Sequence, residues 1–352
     1  MQKSMLHRLA IRALLLVFAC SAAAVLPAVA QSSQPILGPG ERMVPIATPQ
    51  GSYRVWVRKV GSDAARTKVL LLHGGPGITH EYLENFSQEL PSNGVQIFYY
   101  DQLGSGRSDH PDNDALWTVE RFVEEVEQVR AALTLDRDDF CLYGHSWGGL
   151  LAIEYAFKYQ QHLKCLVVSN MMASAPAYNA YANDVLMPAM DQEQLAEIQA
   201  LEEAGKTDAP RYMQILMPLH YERHLLRLPA TRWPEPVTRT FEHLNHHVYA
   251  LMQGPSELGI SGRLARWDRY DALSQIKVPT LVIGARHDTM DPVHMASMAV
   301  RLPRGEFLFM PTSAHLAMWD DPRRYFAGLN AFLAGQRRPP APLASTARSS
   351  LR

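Results

Sequence analysis

Apolar and polar positions along the chain follow two different rhythms. Residues 41–60 alternate apolar and polar side chains on either side of "TPQGS", the pattern of two short strands joined by a tight turn. From "KVLLLHGG" onward, short unbroken apolar runs take over: "VLLL", "VQIFYY", "FCLY", "CLVV", "TLVI" and "FLFM". Runs of that length, rich in β-branched and aromatic residues, suit strands buried on both faces. Helical spacing separates them. In "TVERFVEEVEQVRAAL", Val119, Phe122, Val123, Val126 and Leu133 fall on one helical face. "WGGLLAIEYAFKY", "PVHMASMAVRL" and a last segment ending near Leu333 also read as helices. Strands alternating with helices predict a mainly parallel sheet of eight strands, hairpin included, covered on both faces. The alternation stops near residue 173 and resumes near 263. The interval is helical, rich in Met and Tyr and broken by proline, and it reads as a cap inserted after the sixth strand. Residues 31–172 and 263–335 would then form the core and 173–262 the cap.

The two ends stand apart from this pattern. Lys3, Arg8 and Arg12 precede an apolar run from Ala13 to Val29, and Ala28 and Ala30 fit cleavage after Ala30. Residues 1–30 are therefore expected to be a signal peptide. The exported protein, periplasmic or secreted, would keep no stable membrane insertion. A membrane anchor is the competing reading, though Pro27 interrupts the run. A lipoprotein cut before Cys20, in "LVFAC", is another. At the other end, residues 336–352 are rich in Pro, Ser, Ala and Arg and read as a disordered tail. The formal net charge of the whole chain is −1, and its folded part carries no basic patch, which argues against a nucleic-acid partner. Past the leader only Cys141 and Cys165 remain, both in runs read as buried strands, and they are expected to be free thiols. No cluster of Cys or His has metal-ligand spacing. The oligomeric state has no signature in the sequence.

One stretch carries chemistry. "FCLYGHSWGGLLA" changes from strand to helix around Gly144-His145-Ser146-Trp147-Gly148. A serine on so tight a turn is lifted clear of the sheet and set at a helix N-terminus, whose field favours developing negative charge. Serine is a weak nucleophile at neutral pH and needs a base. With the order Ser, then acid, then His, the candidates follow a strand each. Asp288 lies in "GARHDTMDP" and His315 in "TSAHLAMWDD". Asp291 precedes Pro292 and reads as a helix N-cap. His287 adjoins Asp288 and cannot bridge it to Ser146. In this reading His315 takes the Ser146 proton and Asp288 orients the imidazole. The oxyanion donors would be the backbone N–H groups of Trp147 and of Gly75 in "HGGPG".

Taken together, "LLHGGPGITHEYL", "YYDQLGSGRSD", "LYGHSWGGLLAIEYA", "GARHDTMDP" and "SAHLAMWDDP" make the chain resemble the proline iminopeptidases, or prolyl aminopeptidases, of the α/β-hydrolase superfamily. The resemblance spans about residues 45–333. It implies an α/β-hydrolase fold and release of N-terminal residues, often proline, from small peptides or amino-acid amides without a cofactor. Asp101 and Gln102 match a family loop and read as structural. "LMQGPSELGISG" resembles the cap segment that holds an amine-binding glutamate in the archaeal tricorn-associated aminopeptidase, which points to Glu257; Tyr249, eight residues earlier, is read either as lining the same pocket or as plain packing. In that relative a second acid follows the catalytic aspartate. Here Thr289 stands there, so amine recognition is expected to be weaker or rebuilt. An esterase, lactonase or other small-molecule hydrolase on the same scaffold is the alternative. A non-catalytic binding protein is a third reading, opposed by the intact Ser146, Asp288 and His315.

Overall fold

The computed structural model describes residues 37–336. The expected signal peptide, with Cys20, and all of the expected tail except Gln336 lie outside the described residues. Eight strands form one sheet: β1 (Glu41–Thr48), β2 (Gly51–Val60), β3 (Thr67–Leu72), β4 (Val95–Asp101), β5 (Phe140–His145), β6 (Cys165–Ser169), β7 (Thr280–Ala285) and β8 (Gly305–Met310). Their spatial order is β1-β2-β4-β3-β5-β6-β7-β8. The first two strands are the hairpin read from the alternating pattern, and they pair antiparallel with each other and with β4. Every other pairing is parallel. This is the α/β-hydrolase fold expected from the sequence.

Burial follows position in the sheet. β4, β5, β6 and β7 are buried at every residue, as strands covered on both faces must be. β8 is an edge strand and is mostly half-buried. The helix Val119–Ala132 is capped by Thr118, whose side chain accepts the Arg121 N–H. Its inner face presents Phe122, Val123 and Val126, as its spacing predicts, but also a buried Arg121–Glu125 ion pair.

Strand order sets the site. The chain leaves β3 for β4 on one side and returns to β5 on the other, so the loops after β3 and β5 diverge. In parallel sheets that divergence opens a crevice at the carboxyl ends of the strands. Between β6 and β7 the described residues contain no strand, only helices, among them Gln192–Glu203, Pro210–Leu216, Glu235–Glu242 and His246–Met252. Leu195, Ile198, Tyr212, Leu216 and Leu226 from this segment share one apolar cluster with Leu71, Tyr143 and Val167 of the sheet.

One sequence expectation fails. Cys141 and Cys165 are not free thiols but a disulfide, with their Cα atoms 4.5 Å apart. β5 and β6 are neighbours, and their parallel register sets Cys141 directly beside Cys165. Each strand was legible as buried; which residues face each other across two strands was not. The bridge spans 24 residues of sequence. In the chain-entropy picture, removing such a link costs about 3 kcal/mol. A Cys141→Ala/Cys165→Ala variant is therefore expected to unfold at a clearly lower urea midpoint. An unchanged midpoint would mean the bridge adds nothing.

Candidate active site

The turn at Ser146 has the strain its motif calls for. Ser146 has φ 54° and ψ −126°, outside the regions a non-glycine residue adopts freely. The crowding that requires the flanking glycines is explicit. A Cβ on Gly144 would lie 2.0 Å from the Gly148 carbonyl oxygen, and one on Gly148 would lie 2.2 Å from that of Leu72. The Ser146 N–H donates to the Ser169 carbonyl at 3.0 Å, which pins the turn to the end of β6. The helix Trp147–Tyr159 starts at the next residue.

Asp288 and His315 meet as the sequence order suggests. His315 Nδ1 donates to Asp288 Oδ1 at 2.7 Å, with the aspartate fully buried and the histidine nearly so. Bonding Nδ1–H to the carboxylate leaves Nε2 as the basic nitrogen of the neutral ring. Burial alone would lower the His315 pKa. The Asp288 carboxylate, and Glu257 at longer range, outweigh it and hold the pKa above the ordinary 6.5. Asp291 caps the helix Pro292–Arg301 through the Val293 N–H, and His287 does not line the cavity.

Ser146, His315, Gly75, Tyr249 and Glu257 all line one cavity of about 320 Å³. Most of the remaining wall is apolar, including Ile78, Met213, Phe241 and Leu244. Gly75 has φ 105°, a left-handed conformation for which glycine is the natural residue. Among the described residues no backbone carbonyl accepts the N–H of Gly75 or of Trp147. Both are thus free to serve an oxyanion. Glu257 is half-buried, and its Oε1 accepts the Tyr249 hydroxyl at 2.6 Å.

The chain matches known proteins over most of its length. The family model of the α/β-hydrolase fold matches residues 67–322. A proline iminopeptidase of Flavobacterium johnsoniae is 50% identical over 291 residues, which cover 83% of this chain and 97% of that protein. The chain belongs to the proline iminopeptidase family of α/β hydrolases. The proline iminopeptidase of Elizabethkingia meningoseptica is 49% identical over 293 residues, again 83% of this chain and 97% of that one. Among solved structures, the proline iminopeptidase of Mycobacterium smegmatis matches with a TM-score of 0.74 and 29% identity, over 84% of this chain and 98% of its own.

Asp101 and Gln102, expected to be structural, have local contacts that fit that reading. Asp101 is fully buried; it accepts the backbone N–H and ring Nδ1–H of His80 and the Arg107 N–H, so it fastens two loops. Burial would raise its carboxyl pKa, yet the His80 contact and these donors hold it down, to about 2. Gln102 Oε1 accepts the Trp147 indole N–H at 2.8 Å. Thr289 is buried and does not line the cavity. Its hydroxyl donates to the Glu257 carbonyl oxygen at 2.9 Å, which also accepts from Tyr178 and His220. The threonine thus ties the Glu257 segment to the loop that carries Asp288.

One residue of the site carries no motif in the sequence. Asn170, one step beyond β6, donates through Nδ2 to Asp288 Oδ2 at 2.7 Å, while Met290 N–H donates to Oδ1 at 3.1 Å. Asn170 has φ 53°, and Ser169 Oγ donates to its side-chain oxygen. A polar pair closing the apolar run "CLVV" was the available signal.

Proposed function

We infer that this member of the proline iminopeptidase family is a serine aminopeptidase that releases N-terminal residues, proline among them, from small peptides or amino-acid amides through an acyl-enzyme on Ser146. His315 removes the Ser146 proton and returns it to the leaving amine; Asp288 steadies the imidazolium; Gly75 and Trp147 N–H groups receive the oxyanion. Glu257 takes the substrate ammonium through Oε2, since Oε1 is occupied by Tyr249. The helical segment 173–262 serves as the cap that carries this specificity. The observation that supports the reading best is a carboxylate facing the same cavity as the serine and the histidine.

The discriminating assay compares kcat/KM for a proline arylamide and its N-acetyl derivative. Acetylation is expected to cost at least about a hundredfold, because it removes a charged hydrogen bond and strands the carboxylate. Equal rates would remove the aminopeptidase claim.

The acid limb of activity gives a second test. Catalysis needs neutral His315, so activity falls as pH drops through the His315 pKa, with a midpoint above 6.5. Glu257 favours the charged ring, so Glu257→Gln should move this midpoint to lower pH. The measurement uses a simple aryl ester, which has no amine of its own to titrate. A limb that stays in place or moves up would separate Glu257 from the catalytic histidine.

Export through residues 1–30 is part of the same proposal. A disulfide suits an oxidising compartment. Expression of the full chain in a bacterium should yield a periplasmic or secreted protein beginning at Gln31. A chain still carrying its first thirty residues, or one beginning at a lipid-modified Cys20, would replace this with the anchored readings.

A further inference from the structure

His145 stands directly before Ser146, and the proposed reaction gives it no task. It is almost wholly buried, as is Tyr82. Both of its ring nitrogens are engaged. Nε2 lies 2.9 Å from the His315 carbonyl oxygen and Nδ1 lies 2.9 Å from the Tyr82 hydroxyl. That hydroxyl in turn accepts the Gly74 N–H at 2.8 Å.

The chemistry of the groups fixes every proton in this series. A carbonyl oxygen only accepts, so Nε2 carries the hydrogen. Burial, reinforced by the neighbouring His315, keeps the ring neutral, so Nδ1 is a bare acceptor. The Tyr82 O–H must then donate to Nδ1 while its oxygen accepts from Gly74. No other assignment satisfies all the groups around a neutral ring.

The series joins three separate parts of the site. Gly74 precedes the oxyanion donor Gly75, His145 precedes the nucleophile, and the carbonyl belongs to the catalytic base itself. The Gly74 carbonyl, in the same peptide unit as the Gly75 N–H, is also held, by His73 Nδ1–H at 2.9 Å. Phe and Leu would fill the same buried space, whereas polar groups there cost stability unless fully bonded.

We propose that Tyr82 and His145 are positioning residues that set the Gly75 N–H, the Ser146 turn and the His315 ring at their working distances, a role that rests on the reading of Ser146, Asp288 and His315 as the catalytic trio. A misplaced oxyanion donor weakens binding of the tetrahedral intermediate more than binding of the substrate.

The test uses Tyr82→Phe, His145→Gln and their combination in the full enzyme. Each single variant is expected to lose about ten- to a hundredfold in kcat with KM within about twofold. The combination should lose little more than either alone, since both break one series. Two inhibitors separate positioning from general loosening. A boronic acid analogue of proline forms a tetrahedral adduct on Ser146 and uses the oxyanion donors, so its affinity should fall in step with kcat. L-proline, which forms no adduct, should bind as before. Unchanged kcat in either single variant, or equal losses for the two inhibitors, would overturn the proposal. Nitrogen NMR of the wild-type protein needs no variant: His145 must be the Nε2–H tautomer, and an Nδ1–H tautomer would overturn it as well. Ser146→Ala keeps the two claims apart. An active Ser146→Ala enzyme would remove the catalytic trio and the positioning role together. An inactive one beside an unimpaired Tyr82→Phe would remove the positioning role alone.

Discussion

Replacing Asp288 with asparagine is expected to lower kcat on a proline arylamide about ten-thousandfold, with KM little changed. The expectation comes from the donors that converge on this carboxylate. Oδ1 receives His315 Nδ1–H and the Met290 N–H; Oδ2 receives Asn170 Nδ2–H. An amide has only one acceptor oxygen. If its NH2 group faces His315, the ring must hold its proton on Nε2, and that nitrogen can no longer accept the proton of Ser146. If the NH2 group faces Asn170, two donors confront each other in a fully buried place, a cost of about 1–3 kcal/mol. In neither orientation is there a negative charge to stabilise the imidazolium. Steady-state kinetics of Asp288→Asn checks this. A loss below about tenfold would mean the carboxylate is structural, because geometry alone survives the substitution while tautomer control does not.

The second large effect concerns the amine. Glu257→Gln is expected to reduce kcat/KM on a proline arylamide about a hundredfold and to change hydrolysis of a simple aryl ester far less. A hydrogen bond to a charged group contributes about 1.5–3 kcal/mol, which accounts for that ratio. Glutamine keeps the size of the side chain and can still accept from Tyr249, so packing changes little. The sharper form of the experiment crosses the variant with the blocked substrate. Acetylation should cost the wild type at least about a hundredfold and the Glu257→Gln enzyme much less, because the partner of the ammonium is already gone. If acetylation costs both enzymes equally, Glu257 does not meet the ammonium.

The sequence disclosed the parts of the site that local chain chemistry dictates. A serine turn between a buried strand and an amphipathic helix can be read from residues 139–151 because glycines on both sides of Ser146 have no other use there. Asp288 and His315 each follow an apolar run of strand length, so their place at the carboxyl edge of the sheet was legible too. What stayed hidden depends on neighbours remote in sequence. The Cys141–Cys165 bridge requires the register of β5 against β6, which hydrophobic periodicity does not encode. Tyr82 and His145 look like ordinary residues of a loop and a strand end until the fold brings Gly74 and the His315 carbonyl to them. In the sequence Thr289 reads as a missing acid. The structure gives it a different task, because its side chain faces the Glu257 backbone and not the cavity.

The central claim is a prolyl ester formed transiently on Ser146. The most direct measurement is rapid acid quenching of the enzyme during turnover of a proline aryl ester, followed by peptide mass spectrometry. The result expected is one prolyl group on the peptide containing Ser146, formed at the rate of the initial burst and absent from Ser146→Ala. A prolyl group on any other residue, or a burst in the Ser146→Ala enzyme, would contradict the account.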